Sequence, residues 1–262
     1  MIRLAVSAAL VLALSACAAR LPPRPAGDVA PDPTAIQAFE TATSACRGLR
    51  TLTAELALSG RANGERIRGR VHSGFEAGGA VRLEGVAPFG PPVFILAGRN
   101  DTATLLMRDR RVLPNTRVAL VLERLTGLAL GADDLRLLLS GCLVEKPAPR
   151  DGKRWPSGWR AVSLGDERVA YLRPQHGREV VVAADYGPWT VDYREYLNGW
   201  PREVRVRRRN GTAVDVTARI GELETNVALD AAAFSVVVPA DAVPMTLDEL
   251  GSAAPLAPQK PS

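Results

Sequence analysis

The chain has 262 residues, 47% of them hydrophobic and 23% charged, with a formal net charge of +5. That balance supports one sizeable core or two small ones and excludes a disordered or low-complexity chain. The basic excess is carried by arginine, lysine occurring only at 146, 153 and 260. Its densest run, Arg205 to Arg209, reads as the solvated face of a hairpin, with anionic lipid headgroups or an acidic partner as the alternative. No nucleic-acid partner is expected.

Arg3 precedes the apolar run Leu4 to Ala13 and then Leu14-Ser15-Ala16-Cys17. The run is too short to span a bilayer and reads as an export signal. Its end resembles the bacterial lipobox, which implies cleavage after residue 16 and acylation of Cys17. Several acyl chains on one residue tether a protein stably without crossing the membrane. Ala18 stands where an aspartate would imply retention in the inner membrane, so the resemblance favours the periplasmic face of a Gram-negative outer membrane. Residues 17–33 then form the lipidated N-terminus and a proline-rich extended linker, and residues 244–262 a second proline-rich tail with a short helical possibility around Thr246 to Leu250. One folded domain is expected over 34–243, its only linker-like interruption being 146–153.

Within that domain Thr34 is placed to cap a helix in which Ile36, Phe39, Ala42, Cys46 and Leu49 recur at helical spacing. Alternation of period two follows over 51–60 and 65–75, with Leu56, Leu58, Ile67 and Val71 on one face and Arg66, Arg68, Arg70 and His72 on the other. Shorter strands are expected over 80–86, 92–98 and 101–108. Between two of them lies Gly85-Val-Ala-Pro-Phe-Gly-Pro-Pro-Val-Phe94, a proline-stiffened turn carrying an aromatic ring at Phe89, which either folds back onto the sheet or is exposed for a purpose. The period then changes. Val118, Val121, Leu122, Leu125 and Leu128 make a helical stripe, and Asp133 or Asp134 caps a second helix through Leu139. Strands resume at 159–164, 168–172, 179–184, 190–197 and 203–209, and end at 213–223 beyond an Asn210-Gly211 turn. About eleven consecutive antiparallel strands with a helical insert make a mainly β fold, a barrel or strongly curved half-barrel covered by helices.

No arrangement for catalysis is visible. His72 and His176 sit in no nucleophile, base or metal spacing, and no cofactor or metal motif is present, so a non-enzymatic protein is expected. With Cys17 committed to lipid, Cys46 and Cys142 remain as an even pair in an oxidising compartment, read as a disulfide with two buried thiols as the alternative.

Three stretches together resemble the outer-membrane lipoprotein receptor family LolB, within the wider superfamily of the periplasmic carrier LolA. They are Leu56-Ala-Leu-Ser-Gly-Arg61, Arg82-Leu-Glu-Gly-Val-Ala-Pro-Phe-Gly90, and Leu122-Glu-Arg-Leu-Thr-Gly-Leu128 followed by Leu135 to Gly141. The resemblance implies an unclosed antiparallel barrel with a helical lid around an apolar cavity. It further implies a monomer that accepts acyl chains of lipoproteins from a periplasmic LolA-like carrier and inserts them into outer-membrane lipid. Phe89, between Pro88 and Gly90, takes the place of that family's membrane-inserting leucine. The cavity is expected to be lined by Leu56, Leu58, Val71, Leu83 and Ile95 from the strands and Val121, Leu122 and Leu125 from the lid, residue types that an ordinary packed core would also use. The extra cysteines and longer tail depart from the family pattern. A lipid- or glycolipid-binding lipoprotein of the same fold, or a structural or sensory subunit of an envelope complex, are the other readings.

Overall fold

The computed structural model describes residues 24–146 and 148–257. Cys17, the signal and the first part of the linker lie outside the described residues. Among the described residues the fold is one large, unclosed sheet of fifteen strands with four α-helices. Strand β1 is Ala30–Pro31. A first meander runs β2 Thr51–Ala62, β3 Glu65–Glu76, β4 Ala80–Val86, β5 Phe94–Arg99, β6 Thr102–Met107 and β7 Arg111–Arg117. A second runs β8 Gly152–Arg154, β9 Arg160–Gly165, β10 Arg168–Gln175, β11 Arg178–Tyr186, β12 Trp189–Leu197, β13 Trp200–Arg208 and β14 Asp215–Thr225, and β15 is Val243–Pro244.

The two meanders join where β14 pairs antiparallel with β2, Ile220 opposite Leu56 and Ala218 opposite Leu58. The free edges are β1 beside β8 and β15 beside β7, the latter the one parallel pair. Four strands go beyond the eleven expected from periodicity. Three of them, β1, β8 and β15, have two or three residues, too few to show a period. The fourth, β7, contains Pro114 and Asn115, the latter at φ 43°, and its pairing with β6 shifts register at this point. Proline is confined to edge or bulged strand because it has no N–H for the ladder.

Helix α1 spans Thr34–Ala42, and a 3-10 turn follows at Ser44–Cys46. Thr34 begins the helix rather than capping it: its backbone N–H and hydroxyl both donate to an Asp32 carboxylate oxygen, at 3.1 and 2.6 Å. The regular helix ends before Leu49 because the Thr43 hydroxyl turns back onto the Phe39 carbonyl at 2.7 Å, a bond that competes with the helical ladder. Part of the expected extended linker is docked. The Arg24 guanidinium lies over the Tyr171 ring at 4.6 Å and donates to the Ala184 carbonyl at 2.9 Å.

Between the meanders, α2 Val118–Thr126 and α3 Ala132–Ser140 cross the concave face, each ended by a left-handed glycine, Gly127 and Gly141. Asp134 is not the cap residue of α3 but reaches back to the Gly131 N–H at 3.0 Å, while Asp101 takes the Ala132 N–H at 3.0 Å. The core lies between sheet and lid, with Leu52, Phe75, Val81, Leu96 and Leu105 fully buried from the strands and Val118 and Val121 from α2. Each such side chain contributes roughly 1.5–3 kcal/mol on burial. A last helix, α4 Leu247–Ala253, carries the Thr246–Glu249 capping box and packs on α2. The segment expected as tail is thus folded onto the domain as far as 257, with Met245, Leu250 and Leu256 buried.

Candidate functional site

A cavity of about 80 Å³ lies between the concave face and the lid. Its floor comes from alternation in the strands: Leu56 and Leu58 of β2, Val71 and Phe75 of β3 and Leu83 of β4 share the inward face, Leu56 opposite Val71 and Leu58 opposite Gly69. Leu122 and Leu125 of α2 and Leu135, Leu138 and Leu139 of α3 form the roof. Val204, Val206, Val216 and Ala218 of β13 and β14 complete the wall. Thr126 is the one polar lining residue, and its hydroxyl is turned away to the Leu122 carbonyl at 2.8 Å. A water needs two or more polar partners to stay in a protein interior, and this wall offers none, so the cavity suits hydrocarbon. Its volume is well below the ~300–1,000 Å³ of ordinary ligand pockets. A long chain enters only if something moves.

Two residues expected on the cavity wall are elsewhere. Ile95 points to the outer face, opposite Glu84 and Leu106, while its neighbours Phe94 and Leu96 point inward. In an apolar run with no polar alternation the phase of a strand is unmarked, and a slip of one residue exchanges the faces. Val121 is fully buried, but one step around the helix, about 100°, carries it from the cavity wall into the packed core. The contribution of β13 and β14 followed from their pairing with β2, which no local pattern displays.

Leu256 was not foreseen. It is 5% exposed, lines the cavity, and accepts at its carbonyl a 2.8 Å hydrogen bond from the Arg68 N–H. It fills the end of the cavity nearest the Asn63-Gly64 turn.

The Phe89 tip lies at this same end, since Val86 at the end of β4 pairs with Arg70 of β3. Phe89 is 89% exposed. Gly90 adopts φ 77°, and the Arg108 guanidinium donates to the Pro91 and Pro92 carbonyls and braces the turn.

Polar fastenings hold the roof. Arg136 of α3, 1% exposed, donates to Asp133 at 2.9 Å and to the Leu49 carbonyl at 2.9 Å. The Tyr186 hydroxyl donates to Asp134, and the Arg168 guanidinium lies over the Tyr186 ring at 4.3 Å and 3.7 Å from Asp134. Burial, and then the bond to Asp134, push the Tyr186 phenol well above its ordinary range. Just beyond α3, Cys142 is joined to Cys46 by a disulfide with a Cα separation of 5.6 Å.

Among the described residues no group of three or more His, Cys, Asp and Glu side chains is placed to hold a metal, and no helix is long and apolar enough to cross a membrane. His72 is exposed on the outer face with Glu55 at 3.3 Å, and His176 lies in the β10–β11 turn.

No protein-family model and no curated protein matches the chain. Among solved structures it is similar to a LolA superfamily protein from Nitrosomonas europaea, at 12% identity, 77% of this chain and 97% of that one, with a TM-score of 0.51. It is also similar to an outer membrane lipoprotein-sorting protein domain from Vibrio parahaemolyticus, at 15% identity, 76% and 97% coverage and a TM-score of 0.45. At such identities a likeness shows the fold, and the first of them gives this chain a LolA-like one.

Proposed function

We propose that this protein binds the acyl chains of lipoproteins in the cavity beneath α2 and α3, receives them from a periplasmic LolA-like carrier, and releases them into the outer membrane without covalent chemistry. In this reading acylated Cys17 anchors the protein on the periplasmic face, and Phe89 with Pro88 and Gly90 touches the bilayer. The observation that carries the reading is the roofed, wholly apolar cavity with no free polar group in its wall. Exposing an acyl chain of about fifteen methylenes to water costs on the order of 12 kcal/mol, so a carrier and a receptor both need a dry compartment. The closed cavity is too small for such a chain, so loading requires the roof or Leu256 to move aside.

The reading is tested on non-lipidated protein purified from an envelope without detergent, with mass spectrometry of any bound species and transfer of an acylated lipoprotein to vesicles followed in time. Acylated peptide in the protein and transfer to vesicles are expected. Free phospholipid or glycolipid alone, with no transfer, would replace lipoprotein delivery with lipid carriage.

A further inference from the structure

Resting on the proposed release of acyl chains into a bilayer, we infer that the basic end of the sheet, centred on Arg66, Arg68 and Arg70, is a docking surface for anionic phospholipid headgroups.

The turns that share an end with the Phe89 tip are fixed by register. Arg61 pairs with Arg66 across the β2–β3 hairpin and with Asp215 at the start of β14. This places the β13–β14 turn, with Arg208 and Arg209 before it, at the same end. Arg66, Arg68 and Arg70 alternate with the buried Ile67 and Val71, so all three project from the outer face of β3. Arg61, Arg66, Arg68, Arg70, Arg208 and Arg209 are all exposed. None of the six is ion-paired with a carboxylate among the described residues. Arginines farther across the same face are matched: Arg205 bonds Asp215 at 2.7 Å, Arg207 bonds Asp192 at 2.7 Å and Arg219 bonds Glu203 at 3.0 Å. On this outer face the unmatched arginines of β2 and β3 thus stand at the end that carries the tip, and the matched ones farther across it.

A trough of about 870 Å³ runs along this face, with Arg68, Arg70 and Pro88 on one side and Arg205 and Arg219 on the other. Its floor is made of the small side chains Ala57, Ser59 and Thr217, which leaves room between guanidinium groups for phosphate oxygens. Guanidinium matches phosphate by bidentate hydrogen bonding. Charge alone would suit an acidic protein as well. The ring at the same end decides for lipid, because a bilayer takes an exposed aromatic residue below its headgroups while the arginines stay level with the phosphates.

The test uses protein lacking residues 1–17, which lie outside the described residues, sedimented with vesicles of phosphatidylcholine alone or mixed with phosphatidylglycerol. Binding should require phosphatidylglycerol and weaken with added salt. Each Arg→Gln change at 66, 68 and 70 should lower the partition coefficient about five-fold at low ionic strength, with melting temperature unchanged. Equal binding to both vesicle types, or indifference to the triple variant, would overturn the inference. So would retention on polyglutamate without vesicle binding, which would assign the face to an acidic protein. A fluorescent fatty acyl probe measured on the same samples separates the two claims: intact probe binding with lost lipid selectivity removes only the docking surface, and absent probe binding removes the cavity reading.

Discussion

The Leu256 side chain lies against Gly69, and a Cβ added at Gly69 would come within 3.1 Å of its Cδ2. The glycine thus admits the leucine, and the Arg68 N–H holds it in the end of the cavity. If cargo must displace this side chain, binding gives back the roughly 1.5–3 kcal/mol of its burial. Leu256→Ser, or a chain ending at Ala253, should therefore bind a fluorescent acyl probe about tenfold more tightly or better. Gly69→Ala should act in the same direction by crowding the leucine out. Unchanged probe affinity in all three variants would show that Leu256 is ordinary packing.

Phe89 is the most exposed aromatic position of the described chain at 89%, so its removal has little folding energy to take away. Phe89→Asp should leave the melting temperature and acyl-probe binding close to those of the native protein while slowing release of cargo into vesicles, and Phe89→Leu should restore release. A fall in melting temperature as large as that of a buried substitution would instead make the ring part of the fold.

How much was legible depended on contrast. In β2 and β3 large apolar side chains recur at every second position against charged or small ones, so Leu56, Leu58 and Val71 could be placed on the inner face from the sequence. In Val93-Phe94-Ile95-Leu96-Ala97 every position is apolar, and the phase was lost there. The lid announced itself by its change of period and the turn around Phe89 by its prolines, although these left open whether the ring folds back onto the sheet. Leu256 gave no local signal: it stands among Ala253, Ala254, Pro255 and Pro258, and its burial depends on a contact with β3 nearly 190 residues earlier. The docked part of the linker was hidden for the same reason, since Arg24 finds its partners on β11 and β12.

The Cys46–Cys142 disulfide spans 96 residues and ties the turn after α1 to the end of α3. Closing a loop of that length removes denatured-state entropy worth about 4–5 kcal/mol in the chain-entropy model. The Cys46→Ser, Cys142→Ser double variant should show a large drop in urea midpoint and a steeper slope, because the unlinked denatured chain exposes more surface. Reduction of the native protein should reproduce that drop, and equal midpoints for oxidised and reduced protein would contradict it.

All four tyrosines of the chain are held in their neutral form. Burial is the first cause at each: it pushes Tyr171 up to about 12, helped by the bond to Asp185, pushes Tyr186 and Tyr196 higher still, and raises Tyr193 well above its ordinary range. An unfolded tyrosine ionises near pH 10. A raised folded value means that the folded state keeps protons the unfolded state gives up, so stability is complete below about pH 10 and falls as pH rises above it. Absorbance at 295 nm should show no phenolate forming at pH 10 in the folded protein, then cooperative ionisation together with loss of circular dichroism at higher pH. Phenolate appearing with an ordinary midpoint near 10 while the fold persists would refute the burial argument.

Leu83 and Ile95 test the register of the sheet directly. Leu83 faces inward opposite Leu96 and lines the cavity, whereas Ile95 sits outside opposite Glu84 and is only partly buried. A carboxylate at 83 would enter a wall with no hydrogen-bond partner for it, and an uncompensated buried charge either raises its own pKa or unfolds the site. Leu83→Asp should therefore abolish acyl-probe binding and lower the melting temperature sharply. Leu83→Met, which keeps both volume and apolarity, should cost less than about 1.5 kcal/mol and leave binding intact. Ile95→Thr, a polar β-branched residue suited to an exposed strand face, should change neither quantity appreciably. If Ile95→Thr impaired probe binding as strongly as Leu83→Asp, β5 would present its other face to the cavity and the register described for β4 and β5 would be wrong.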